Sequence, residues 1–102
     1  MEKYRLLIFP SARQDLRDIV EYVNELSPDA AIKLYDAIVD GIGSLEHLPL
    51  RCPLIKIPEF RANGYRLLAV KNYLVFYVVN GTTVEIRRIM YERRRYELLL
   101  EE

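Results

Sequence analysis

The chain holds one cysteine, Cys52, and one histidine, His47. A lone cysteine excludes an internal disulfide, and one Cys with one His falls short of the four ligands of a structural zinc site. No apolar run approaches the roughly 20 residues that a membrane-spanning helix requires. Residues 1–10 read as a strand without the cleavage pattern of a signal peptide, so a cytoplasmic address is expected. Internal repeats and low-complexity segments are also lacking. Four glycines and five prolines in 102 residues, with 51% hydrophobic and 29% charged residues, describe neither a fibrous nor a disordered chain. One domain over residues 1–102 with one core is expected, stabilised by packing or by a partner.

Net charge is also lacking: the formal value is zero. That average conceals an asymmetry. Residues 1–50 carry five cations against nine carboxylates, a net −4, whereas residues 51–95 carry ten cations against three carboxylates, a net +7. The cations of the second stretch are interrupted by tyrosines and apolar residues, which suits a folded surface. Guanidinium pairs bidentately with phosphate or carboxylate, so this half favours an anionic partner.

Tyr4 to Phe9 is a short apolar run ended by Pro10 and reads as a first strand. Ser11 followed by Gln14 has the form of a capping box that starts a helix. Ala12, Leu16, Ile19, Val20, Val23 and Leu26 recur at helical spacing, with Arg13, Asp15, Arg17, Asp18 and Glu21 mostly on the wet side. Ser27 and Pro28 repeat the start signal. Ala31, Leu34, Tyr35, Ile38, Ile42, Leu45 and Leu48 then form the apolar stripe of a second helix, stopped by Pro49. Gly41 and Gly43 weaken that helix but permit close approach to a neighbour. The pair makes a helical hairpin.

Residues 49–64 hold three prolines and read as an irregular, basic connection. From Tyr65 the pattern turns to strands: Tyr65 to Val70, Tyr73 to Val79 and Thr82 to Met90, separated by Lys71-Asn72 and Asn80-Gly81. Asn-Gly between β-branched runs is a strong hairpin signal. Two-residue loops at both turns would place Arg66 beside Tyr77 and Val84, Leu68 beside Val75 and Ile86, and Val70 beside Tyr73 and Arg88. Leu67, Ala69, Leu74, Phe76, Val78, Glu85, Arg87 and Ile89 would share the other face. Neither face is purely polar, so helices should cover one, and the C-terminal segment or a partner part of the second. Tyr91 to Glu102 reads as a short terminal helix. The fold class is therefore α+β: an N-terminal strand, a helical hairpin, a three-stranded antiparallel meander and a C-terminal helix.

Several local patterns carry a resemblance to the RelE/ParE toxin superfamily. The opening Tyr4-Arg5-Leu6-Leu7-Ile8-Phe9 followed by Ser11-Ala12-Arg13-Gln14-Asp15-Leu16 resembles the family's first strand and its A-x-x-D-L helix start. Leu48-Pro49 resembles the close of its second helix. Arg66 to Tyr77 resembles its R-x-L-x-V-x-x-Y-x-I-x-Y hairpin, and Ile86 to Tyr96 its basic ending, I-x-R-I-x-H-x-R-R-x-Y. The resemblance implies the toxin of a type II toxin–antitoxin system, neutralised by a cognate antitoxin, as a homodimer or as a hetero-oligomer with that antitoxin. It implies no metal, cofactor or membrane partner. Two activities occur in the superfamily: cleavage of mRNA on the ribosome and poisoning of DNA gyrase.

RNA cleavage through the 2′-hydroxyl needs that oxygen deprotonated, the phosphorane charge stabilised and the leaving oxygen protonated. Arg66, Arg88 and Arg93 are the catalytic candidates for the phosphate, and Tyr96, among cations that favour its phenolate, for proton transfer. Lys56, Arg61, Arg87 and Arg94 are candidate RNA contacts, and Tyr91 could stack on a base. Each has a plainer role beside it. Tyr96 can pack the last helix on the sheet, the strand arginines can pair with Glu59, Glu85 or Glu92, and Arg93 to Arg95 can be a solvated face. His47 reads as a surface or helix-end residue and Cys52 as buried or idle.

Two positions depart from the RNA-cleaving pattern. Leu74 stands where that branch usually carries arginine, and Tyr91 where it often carries histidine. Ribosome-dependent mRNA cleavage, by a metal-independent endoribonuclease, is the leading expectation. A ParE-like gyrase inhibitor, or an inactive relative kept for antitoxin binding, is the alternative.

Overall fold

Proline sets the element boundaries. In the computed structural model, which describes residues 3–92, Pro10, Pro28, Pro49 and Pro58 each open a helical segment. At that position the missing N–H costs nothing and φ is already helical. The elements are β1 (Arg5–Ile8), α1 (Pro10–Leu26), α2 (Pro28–Ser44), a 3-10 turn (Pro49–Arg51), α3 (Pro58–Ala62), β2 (Tyr65–Val70), β3 (Tyr73–Asn80) and β4 (Thr83–Tyr91).

The sheet order is β1-β4-β3-β2, with β1 parallel to β4 and the other pairs antiparallel. The strand–hairpin–meander order is the α+β arrangement expected; Tyr91, the expected first residue of the terminal helix, instead ends β4, and residues 93–102 of that helix lie outside the described residues. Ala12 of α1 and Leu34, Ile38 and Ile42 of α2 bury against Val75, Tyr77, Val84, Ile86 and Ile89 of the sheet. The opposite sheet face carries a second cluster, in which Phe76 and Met90 meet Ile55 and Phe60 of the linker, with Leu67 and Leu74 packed against them. The linker therefore supplies part of the shield that the apolar second face required. It is not irregular throughout: besides α3, Leu54 bridges to Arg66 and widens the β2 edge.

Three local expectations are corrected. Helix α1 begins at Pro10 with Phe9 as its cap residue, and no side chain caps it. Ser11 lies inside the helix, and its hydroxyl donates to the Arg87 carbonyl at 3.0 Å, a tertiary contact in place of a capping box. Helix α2 ends at Ser44, before Pro49. Arg51 folds back there, donating to the Ser44 Oγ at 2.7 Å and to the His47 carbonyl at 3.1 Å. A cation thus meets the negative end of the helix. The Ser27 cap is as expected, its hydroxyl accepting from the Ala30 N–H.

The third correction is register. Pairs Arg66–Tyr77, Leu68–Val75 and Val70–Tyr73 stand as expected. The β3–β4 turn is centred one residue later, with Asn80 opposite Thr83, because Gly81 takes the positive φ of 62°. Tyr77 therefore faces Ile86 and Val79 faces Val84. A bulge between Phe76 and Tyr77 then passes over Arg87, so Phe76 faces Arg88 and Val75 faces Ile89. An extra residue inverts the side-chain alternation beyond it. Ile89 joins the helix-side core, and Tyr91, not Arg88, pairs with Tyr73.

Candidate functional site

The meander was expected to gather arginines around a phosphate. The structure gives each strand arginine a different partner. Arg66 on β2 reaches along the sheet to the linker, where Nη1 donates to the Cys52 carbonyl at 2.6 Å and to the Leu50 carbonyl at 3.3 Å. Its cross-strand neighbour Tyr77 is fully buried and donates its hydroxyl to the Pro49 carbonyl at 2.6 Å. Burial pushes the Tyr77 phenol far above its ordinary range, with Cys52 adding to the shift and the Arg66 and Arg51 cations opposing it less strongly. The two side chains clamp the segment that follows α2.

Arg88 on β4 forms a two-pronged pair with Asp15 of α1, Nε to Oδ2 at 2.7 Å and Nη2 to Oδ1 at 3.0 Å. The same carboxylate accepts the Ile89 backbone N–H at 2.9 Å. Both side chains are mostly buried. Asp15 was expected on the wet side of α1 and instead, with Ser11, joins that helix to β4.

Arg87, the bulge residue, donates to Glu85 at 2.7 Å and to the Tyr65 hydroxyl at 3.3 Å. Its guanidinium lies 4.7 Å from the Phe9 ring centre and 5.6 Å from that of Tyr65. Burial alone would lower its pKa; the Glu85 hydrogen bond and Tyr65 outweigh this and raise it. The expected pairing of a strand arginine with Glu85 therefore holds for Arg87, while Arg66 and Arg88 took carbonyls and Asp15.

Lys56 in the linker and Arg61 on α3 are exposed, as is Tyr91 at the end of β4. Position 74, where arginine would stand in the RNA-cleaving pattern, holds a leucine packed against the Phe76–Met90 cluster. Arg93, Arg94 and Tyr96 lie outside the described residues. Cys52 is buried and His47 exposed, as read from the sequence.

Among the described residues, the basic linker and α3 thus offer an exposed surface with Lys56 and Arg61, while Arg66, Arg87 and Arg88 are engaged within the fold. Such a surface can bind an acidic partner. It does not by itself place two cations on one phosphate.

A family model described as the ParE toxin of the type II toxin–antitoxin system parDE matches residues 6–96, nearly the whole chain. The chain belongs to the ParE toxin family. Solved structures agree on the fold. The chromosomal ParDE system from P. aeruginosa superposes with a TM-score of 0.72 at 23% identity, covering 89% of this chain and 98% of that one. The RelBE2 toxin–antitoxin complex from Mycobacterium tuberculosis gives 0.63 at 24% identity, covering 87% and 98%. No curated protein matches the sequence.

In this ParE-family toxin, sequence reasoning missed Asp15 as a structural anchor and missed a tyrosine-lined cleft beside it. The Asp15 signal was present in the helix-start motif, but its partner lies 73 residues away and no local pattern marks the pair.

Proposed function

We propose that this toxin arrests growth by binding and inhibiting DNA gyrase, without cutting RNA itself, and that a cognate antitoxin neutralises it. The observation that carries the reading is the engagement within the fold of Arg66 and Arg88, the two described catalytic candidates. Arg66 is spent on the Cys52 and Leu50 carbonyls and Arg88 on Asp15. A phosphorane needs donors aimed at its developing charge and already in place. Freeing Arg88 would leave the mostly buried Asp15 carboxylate without its counter-charge, a cost that preorganised catalysis avoids.

Leu74 supports the same reading, since it contributes to an apolar cluster where a phosphate-binding side chain would be required. The ParE family match points the same way. The exposed Lys56 and Arg61 then serve as contacts to an acidic protein surface, with arginine-type pairing as the physical basis.

The test is induction of the protein alone in growing cells. Plasmid topology and mRNA 5′-ends are followed together with growth. Growth arrest with relaxed plasmid and unchanged mRNA ends is expected. New 5′-ends within translated codons, with supercoiling intact, would reverse the assignment in favour of mRNA cleavage.

A further inference from the structure

A cavity of about 620 Å³ opens where the second half of α1 passes the base of β3 and the end of β4. Tyr22, Tyr73 and Tyr91 line it, with Asp15 and Asp18 on the helix side. The Tyr73 and Tyr91 rings are 5.6 Å apart at 62°, so their planes form adjoining walls and not one flat stack. Burial, with Tyr91 and Tyr22 nearby, raises the Tyr73 pKa, which keeps the phenol neutral.

The cleft has the opposite electrostatic character to the linker. Among the described residues, no lysine, arginine or histidine lines it. The Asp15 charge is met by Arg88. Asp18 takes a neutral donor, the Gln14 amide at 2.8 Å, and among the described residues forms no ion pair. Aromatic faces attract cations through the ring quadrupole, and a carboxylate at the rim adds to that attraction. Phosphate would be repelled.

We propose that this cleft receives an arginine side chain from a partner protein. Guanidinium is planar and weakly hydrated and stacks on aromatic rings better than ammonium does. The apolar stem of an arginine would lie along Leu26, which is 71% exposed and also lines the cleft. Tyr22 is 63% exposed. A small free cation would leave both surfaces wet, whereas a protein segment that presents the arginine covers them.

The experiment is a titration of the full-length toxin, with its tyrosine rings labelled for NMR. The probe is Nα-acetylarginine amide, and the neutral isostere Nα-acetylcitrulline amide is the control. Saturable shifts of the Tyr22, Tyr73 and Tyr91 ring signals with the arginine probe and not with citrulline are expected. Tyr22→Leu should weaken the response roughly two- to five-fold, the worth of one exposed ring, and Asp18→Asn should weaken it in the same direction. Both positions are on the exposed face of α1, so these variants keep the fold. Equal shifts with both probes would make the cleft a plain apolar surface and overturn the proposal. So would no shift at all. A response that appears only when Arg93, Arg94 and Arg95 are changed to glutamine would assign the cleft to the chain's own end and equally overturn it.

Discussion

Asp15 Oδ2 sits 2.7 Å from Arg88 Nε and 2.9 Å from the Ile89 backbone nitrogen, so one carboxylate fastens α1 to β4 at adjacent residues. It does so just beyond the bulge at Arg87, where the ladder is locally interrupted. An interrupted ladder leaves donors to be satisfied from elsewhere. Asp15 supplies the acceptor.

Replacing Asp15 by alanine should therefore cost about 2–4 kcal/mol, between the values for exposed and fully buried pairs. Asp15→Asn keeps an acceptor for the Ile89 N–H and should cost less. Urea denaturation of the two variants measures the difference. No loss in either variant would show that the carboxylate does not hold α1 in place.

Tyr77 offers a pH-dependent test. Its folded-state pKa is raised, so the folded state binds the proton more tightly than the unfolded chain. Its contribution is fully present below the unfolded value of about 10 and declines as pH rises above it. Tyr73 shifts in the same direction. Stability should fall above about pH 10, by up to about 1.4 kcal/mol per pH unit for Tyr77, with Tyr73 adding a smaller contribution of the same sign. Tyr77→Phe should reduce that slope and, by leaving the Pro49 carbonyl without its donor, cost about 1–3 kcal/mol at neutral pH.

The two α2 glycines should respond in opposite directions. A Cβ on Gly41 would lie 2.8 Å from the Val70 Cγ2, whereas nothing stands within 4 Å of one on Gly43. Gly43→Ala should stabilise by up to about 1 kcal/mol through helix propensity. Gly41→Ala gains the same propensity but overpacks the α2–β2 contact, for a net loss of about 1 kcal/mol. Thermal melts of both variants decide this.

The elements themselves were legible because their signals are local. Ser27-Pro28 marked α2, alternation marked the strands, and the Lys71-Asn72 turn gave the β2–β3 register. Position 81 shows where such reasoning stops: Asn-Gly announced a hairpin, but which residue takes the positive φ decides the register. That choice shifted the pairing without changing faces, and the bulge at Arg87 then moved Ile89 into the helix-side core. The parallel pairing of β1 with β4 and the partners of Arg66 and Arg88 were not legible. They depend on contacts between residues far apart in sequence, which periodicity does not encode. Arg93, Arg94 and Tyr96 stand as sequence-based candidates only.

Lys56 and Arg61 separate binding from folding. Both are exposed, and among the described residues neither forms an ion pair. Changing both to glutamine should alter stability by no more than about 0.5 kcal/mol. If they meet an acidic partner surface, the same change should weaken inhibition and flatten its dependence on salt. Unchanged inhibition across a salt series would exclude this surface from the interface.

The central claim, inhibition of gyrase without RNA cleavage, is tested most directly with purified components. The toxin is titrated into a DNA gyrase supercoiling reaction and, in parallel, into ribosomes stalled on a defined mRNA. Dose-dependent loss of supercoiling with an intact transcript is predicted. A cut transcript beside unaffected gyrase would contradict it.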